Sequence, residues 1–312
     1  MVRRVVIVAW LITSTVLASG ILLPSAHAQQ SGPSLQVDAG FDGYYRPDAW
    51  LPLLVTVSNE GDEVQGEVRV VHDDPMGRQT VYAQPVLLPT RSRKQFFLYV
   101  FGEGYFHQLT VELVARGRVL RKEMVALSVL QPNDALVGVV SSSPSTLNLL
   151  AALNTVQGGR VVVAHLSPQD LPSQGRAWQA LDALVFNDVD TGVLTPSQRE
   201  ALVAWVISGG HLVVTGGLNA AQTAAGVADW LPVDVSGTRT LDDVSALGEF
   251  AGVPLTDGGP TVVATGPVRE GRVLVAQGDL PLVVRRQLGG GQVTFLALDL
   301  NTAPLQNWPG NE

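Results

Sequence analysis

Several side chains that could do chemistry stand at the ends of short apolar runs. Asn187, Asp188 and Asp190 follow the run 181–186, His165 follows 160–164, Ser142 and Ser143 follow 136–140, and Thr215, Gly216 and Gly217 follow 211–214. Asn187, Asp188 and Asp190 offer oxygens for a divalent cation or a carboxylate pair for acid–base work. His165 could act as a general base. Ser142 and Ser143 precede Pro144 at an expected helix start, where free N–H groups attract an anion. Gly216-Gly217 would let the backbone approach a ligand. Each also has a purely structural role: carboxylates at strand ends cap turns, Ser-Pro opens helices, and Gly-Gly makes tight turns. The catalytic candidates are therefore Asp188, Asp190 and His165. The ligand-binding candidates are Ser142, Ser143, Asn187, Thr215, Gly216 and Gly217.

Other chemistries are disfavoured. The chain has no cysteine, hence no thiol nucleophile, thiolate metal site or disulfide. His72, His107 and His211 lack metal-ligand spacing, so no metal centre is expected. His72-Asp73-Asp74 is a weak cation site at most. Arg285 and Arg286 fall on opposite faces of a strand and cannot clamp one anion. Gln157-Gly158-Gly159-Arg160 ends an expected helix instead of opening one, and the only lysines, Lys94 and Lys122, both fall in the expected sandwich, so a P-loop lysine is impossible. No nucleotide or other cofactor is expected.

The elements that would position these residues lie in the second half. From Ala135 the sequence predicts strands over 136–140, 160–165, 181–187 and 211–215. Helices are expected over 144–156 and 196–208, with a polar connector over 168–180 that holds a short helix near 177–180. Thr195-Pro196-Ser197-Gln198 is a capping box with proline in its first turn. Apolar strands joined by helices imply a parallel sheet covered on both faces. In such a sheet ligands sit at the C-terminal strand ends, where the candidates fall. Residues 229–254 show no period and read as an irregular insertion. Runs 261–264, 272–277, 280–287 and 292–299 alternate like antiparallel edge strands.

Residues 34–130 differ. Leu53, Val55 and Val57 alternate on one face, and Val64, Val68 and Val70 repeat the pattern. About seven short strands separated by Gly, Pro, Asn and Asp turns imply an immunoglobulin-like β-sandwich. Gln131-Pro132-Asn133-Asp134 marks the boundary.

At the N-terminus, Arg3 and Arg4, the uncharged run 5–23 and Ala26-His27-Ala28 have the form of a signal peptide over 1–28, or of an uncleaved anchor. Loss of Arg3 and Arg4 would take the net charge from −8 to −10. That acidity disfavours nucleic acid and anionic lipid as partners. The abrupt end at Gln306-Asn307-Trp308-Pro309-Gly310 suggests that a helix or membrane span follows in a longer parent.

The run Asp188…Thr195-Pro196-x-Gln198-x-x-x-Leu202-x-x-Trp205…Gly209-Gly210-x-Leu212-Val213-Val214-x-Gly216-Gly217, with the closing run 282–299, resembles the class I glutamine amidotransferase-like domains of bacterial envelope proteins. The resemblance covers residues 133–312. Gly40-Phe-Asp-Gly-Tyr-Tyr-Arg-Pro-Asp48 and Trp50-Leu51-Pro52 look like the opening of the sandwich that precedes such domains. The likeness implies a Rossmann-like (flavodoxin-like) α/β fold. It also implies a reactive cysteine at Thr215-Gly216-Gly217-Leu218-Asn219, where this chain has none, so glutaminase activity is not expected.

The expectation is a multidomain protein: signal peptide 1–28, sandwich 34–130 and an amidotransferase-like α/β domain 133–312. It would be exported to the periplasm or the extracytoplasmic face of a bacterial membrane. There it would act without catalysis, as a spacer and a binding platform for envelope proteins or a small ligand. The competing readings are a carboxylate- or metal-dependent hydrolase at Asp188 or Asp190, and a sensory ligand-binding module.

Overall fold

Strand β3 (Trp50–Asn59) is buried along nearly its whole length, and this decides how the two halves of the molecule meet. The computed structural model describes residues 32–73, 78–143, 145–255, 259–306, 308 and 310. The segment 1–28 read as a signal peptide, Pro144, Asp74 and parts of the closing stretch lie outside the described residues.

The first half builds β1 (Ser34–Ala39), β2 (Tyr44–Tyr45), β3, β4 (Val64–Asp73), β5 (Gln79–Leu88), β6 (Ser92–Phe101), β7 (Gln108–Ala115), β8 (Arg118–Ala126) and β9 (Ser128–Val129). A three-stranded sheet of order β1-β3-β6 faces a four-stranded sheet of order β5-β4-β7-β8. Leu51, Leu53, Val55 and Val57 of β3 meet Val68, Val70, Val111 and Leu113 of the other sheet in one core. Alternation of period two sends these side chains to one face. The result is a β-sandwich.

Most of the other face of β3 is covered by the second half of the chain. Leu54 is buried there, and the ring of Trp50 lies 4.0 Å beneath the Arg176 guanidinium. On β6, the Tyr99 hydroxyl accepts from the Ser173 N–H at 3.2 Å. Both lobes belong to one compact unit that begins at Gly32.

The second half contributes β10 (Ala135–Ser141), β11 (Val161–Leu166), β12 (Ala183–Asn187), α1 (Pro196–Ile207), β13 (His211–Thr215), α2 (Ala220–Ala225), β14 (Gly237–Leu241), α3 (Ser245–Ala251), β15 (Thr261–Thr265), β16 (Arg272–Gln277), β17 (Leu280–Leu288) and β18 (Gly291–Leu296). Seven strands form a sheet of order β11-β10-β12-β13-β18-β17-β16. The first five pair parallel, and β17 and β16 extend them antiparallel. Strands β14 and β15 form a separate antiparallel pair.

The doubly wound α/β expectation is corrected. The structure is 47 % strand and 16 % helix. Eight of thirteen strand pairings are antiparallel. Only α1, among the described residues, is a helix longer than seven residues. The parallel strands are therefore not layered between helices, and a Rossmann-like or flavodoxin-like domain is not what this chain builds. The resemblance to glutamine amidotransferase-like domains falls with it, since that family's chemistry presupposes the α/β framework.

The lost helices have local causes. Where a helix was expected over 144–156, the described part is a short 3₁₀ turn, Asn148–Ala152, entered through Leu147 at φ 61°. Thr146 and Asn148 spend their side chains elsewhere, on Ser141 and His165, and such bonds compete with helical pairing. The connector 168–180 also makes only 3₁₀ turns, Pro168–Asp170 and Gly175–Trp178. Pro172 holds Leu171 extended between them. The stretch 229–254 is not irregular: it holds β14 and α3. Strand β14 is exposed nearly throughout, so it carries no apolar alternation to read.

Helix α1 forms where its signals stand. Thr195 and Gln198 exchange capping bonds at 3.3 and 3.0 Å. Leu202, Trp205 and Val206 are buried in the core that includes Phe186, Val214 and Phe295. The helix ends at Ile207, before Gly209 at φ 129°, and Gly210 leaves room for the Trp205 ring, 2.3 Å from where a Cβ would stand.

Candidate functional site

Four parallel strands, β10, β12, β13 and β18, lie side by side, and Ser141, Thr215 and the chain that leaves β18 converge on Asn187 at the end of β12. Asn187 and Thr215 are both fully buried. The Asn187 carboxamide oxygen accepts from the Thr215 hydroxyl at 2.8 Å and from the Leu300 N–H at 3.0 Å. Its Nδ2 donates to Asp299 Oδ1 at 3.0 Å. The same Asp299 oxygen accepts from the Asn301 N–H at 2.8 Å, and Asn301 Nδ2 donates to Ser141 Oγ at 3.2 Å. Thr146 closes the ring through the Ser141 hydroxyl and the Asn301 carboxamide.

Asp188 sits beside this ring, not in it. Its backbone is left-handed, φ 51°, a conformation that costs a non-glycine residue about 1 kcal/mol. One carboxylate oxygen accepts from Ser142 Oγ at 2.6 Å and the other from Asn219 Nδ2 at 2.7 Å. Ser142 is thus brought to Asp188, while Ser143 turns away to Ser145 at 3.3 Å. Asp190 is engaged elsewhere, where its Oδ1 accepts from the Gly192 N–H at 2.8 Å and caps a 3₁₀ turn. His165, on β11, bonds Asn148 Oδ1 at 2.7 Å and lines a cleft against the sandwich. The structure therefore does not unite Asp188, Asp190 and His165.

Gly216 and Gly217 serve chain packing. A Cβ on Gly216 would stand 2.3 Å from the Ala297 carbonyl oxygen, and Gly217 has φ 81° with Asp299 against it. Their N–H groups donate to Leu298 O at 3.1 Å and Ala297 O at 3.0 Å. These donors are consumed, so the turn offers no oxyanion hole. Thr215 has no basic neighbour within its bonds and donates to a carboxamide, so nothing activates its hydroxyl.

Sequence reading passed over Asp299, Asn301, Asn219 and Thr146. Asp299 was visible only as the end of a strand-like run. Its place in the ring follows from β18 lying parallel beside β13, a long-range pairing with no local signature. Among the described residues no group of three or more His, Asp or Glu is placed to hold a metal ion. No described helix is long and apolar enough to cross a membrane.

The comparisons with known proteins come to little. A family model described as a domain of unknown function (DUF8726) matches residues 32–128. No curated protein matches. Among solved structures, the CARDB domain of the PF1109 protein of Pyrococcus furiosus, in complex with di-metal ions, is 17 % identical, with 32 % of this chain and 90 % of that one covered at a TM-score of 0.26. The alkylpurine DNA glycosylase AlkC of Pseudomonas fluorescens is 8 % identical, with 31 % and 30 % covered and a TM-score of 0.24. β-Glucuronidase 2 of Bacteroides uniformis, covalently bound to an aziridine inhibitor, is 9 % identical, with 60 % and 23 % covered and a TM-score of 0.22. Likenesses this distant carry no argument about what the chain binds or does.

Proposed function

We propose that this protein is a non-catalytic binding module of the bacterial envelope, exported by its N-terminal segment and built on an immunoglobulin-like sandwich. The observation that carries this reading is the closed ring at the strand ends. Asn187, Thr215, Asp299 and Asn301 satisfy one another, and the Gly216 and Gly217 N–H groups are spent on backbone carbonyls. Buried polar groups so paired hold a structure together and leave no group poised for attack. The leader-like residues 1–28 and the acidic balance support export and argue against nucleic acid as a partner. An envelope protein or a small ligand is the partner class that fits.

The test is direct. Purified full chain is assayed with chromogenic ester, amide, phosphoester and glycoside substrates, with and without added Mg2+, Ca2+ or Zn2+, beside Asp188→Asn. No turnover above buffer is the expected result. Turnover abolished by Asp188→Asn would overturn the reading in favour of a carboxylate-dependent hydrolase. Fractionation of producing cells should place the chain outside the cytoplasm; recovery with cytosolic proteins would remove the envelope part of the proposal.

A further inference from the structure

A second recess lies away from the strand ends. It is a cleft of about 530 Å³, open to solvent, between the sandwich and β11. That volume lies within the range of about 300–1,000 Å³ typical of small-ligand sites. Its apolar wall includes the half-buried Phe97 and Leu166, with Leu54 buried behind them, and its polar groups are Asp38, Asp42, Asp170 and His165. Among the described residues no lysine or arginine lines it. Asp38 and Asp42 are exposed and have no ion-pair partner among the described residues.

The cleft is pre-formed. Asp42 sits at φ 54° in a tight turn closed by Gly43 N–H to Ala39 O at 3.0 Å and Phe41 N–H to Tyr44 O at 3.1 Å. Phe41 anchors that turn: it is fully buried in the core of the other lobe, 6.3 Å from Trp178. On the opposite wall, Asn148 fixes the His165 ring, and Ser167 holds Asp170 through its backbone N–H at 3.0 Å. A site whose walls are fixed before binding loses less entropy when filled.

We propose that this cleft binds a primary amine or guanidinium carried on an aliphatic stem, the chemistry of a lysine or arginine side chain. The cation would lie between the Asp38 and Asp42 carboxylates, and the stem would lie against the half-buried Phe97 and Leu166. Charge complementarity selects the head group, and the apolar wall selects a stem over a bare ion. The proposal gives the binding module a ligand class at a place separate from the strand ends. Its failure leaves the non-catalytic reading intact, and a hydrolase at Asp188 would leave this cleft unchanged.

The experiment is a titration of the full chain, by calorimetry and by NMR shift mapping, with acetyl-lysine amide, its Nε-acetylated neutral form, and 1,5-diaminopentane. Saturable binding of acetyl-lysine amide, at least about tenfold weaker for the neutral form and falling with added salt, is expected. Asp38→Asn with Asp42→Asn should weaken it by a further tenfold or so. Asparagine tolerates the left-handed backbone at position 42, so the double variant keeps the fold, and thermal melting checks this. Asp48→Asn with Asp62→Asn removes the same charge elsewhere and should bind like the parent. Tighter binding of the diamine than of the lysine amide would assign the site to free amines, and the reverse to a peptide side chain. No saturation with either cation up to about 10 mM, or equal binding by the Asp38/Asp42 double variant, overturns the proposal.

Discussion

Asn187, the last residue of β12, donates from its side chain to Asp299 at 3.0 Å across 112 residues of sequence. This bond ties the strand ends of the parallel block to the chain that leaves β18. Because the same carboxamide also accepts from Thr215 and Leu300, one side chain satisfies three partners, the fully buried Thr215 among them.

Replacing Asn187 by alanine should therefore cost more than one ordinary hydrogen bond. It leaves the Thr215 hydroxyl, the Leu300 N–H and Asp299 short of partners. A loss of about 2–4 kcal/mol is expected, read as a lower urea midpoint with an unchanged slope. A loss under about 0.5 kcal/mol would show that the ring is not structural.

Gly216 is a second point of closure. Its added Cβ would meet the Ala297 carbonyl oxygen at 2.3 Å and the Ala264 Cβ at 2.8 Å. Backbone cannot step aside as a flexible side chain can. Gly216→Ala should lower stability by about 2 kcal/mol or more, while Gly104→Ala, at φ 73° in open space, should cost only about 1 kcal/mol of backbone strain. Thermal melting of the pair separates the two effects.

Phe41 tests the joint between the lobes. It belongs to the chain of the sandwich, yet it is buried in the core of the seven-stranded sheet. Phe41→Ala should cost about 3–5 kcal/mol. It should also expose the linker at Gln131–Asp134 to protease before either lobe unfolds. Cleavage no faster than in the parent would mean that the remaining contacts, Arg46 to Asp182 at 2.9 Å and Arg176 over Trp50, suffice.

Two groups contribute to the acid response in separate windows. His211 is held down to about 4, against an ordinary 6.5, chiefly by burial and then by the Arg285 charge. Between those values the unfolded chain takes up a proton that the native state refuses, so stability falls as pH drops from 6.5 toward 4. The full shift corresponds to about 3 kcal/mol. His211→Gln, which keeps a partner for Thr294, should flatten that part of a stability–pH curve.

Asp134 acts lower on the scale. Burial opposes its charge, but the Arg160 guanidinium at 2.9 Å and the Gln131 and Arg160 N–H groups outweigh that cost and bring it to about 2, from 3.8. Its contribution is present above pH 3.8 and is lost as pH falls through 2. Asp134→Asn should remove about 2 kcal/mol at neutral pH and show no further loss in that window.

Local signals were legible where neighbours in sequence are also partners in space. The capping box of α1, the alternation of β3 and β4, and the span of β13 could all be read from adjacent residues. The helix expected over 144–156 could not be corrected that way. Thr146 and Asn148 look like ordinary helix-start residues until Ser141 and His165 are seen beside them. The likeness to amidotransferase-like domains had the same weakness. It rested on one strand–helix–strand run that does form, in a structure whose earlier crossovers are 3₁₀ turns and whose last one runs through two short helices and four strands.

The sequence by itself determined which residues alternate, that no thiol is present, and that oxygen-bearing side chains collect at strand ends. Only the tertiary structure decided what those side chains do. Asn187, Thr215, Asp299 and Asn301 come from three separate stretches of chain, and the parallel register of β12, β13 and β18 makes them one another's partners. A polar group can be reactive or structural with the same local sequence; what decides is whether its hydrogen-bonding capacity is already spent, and that depends on strands distant in the chain.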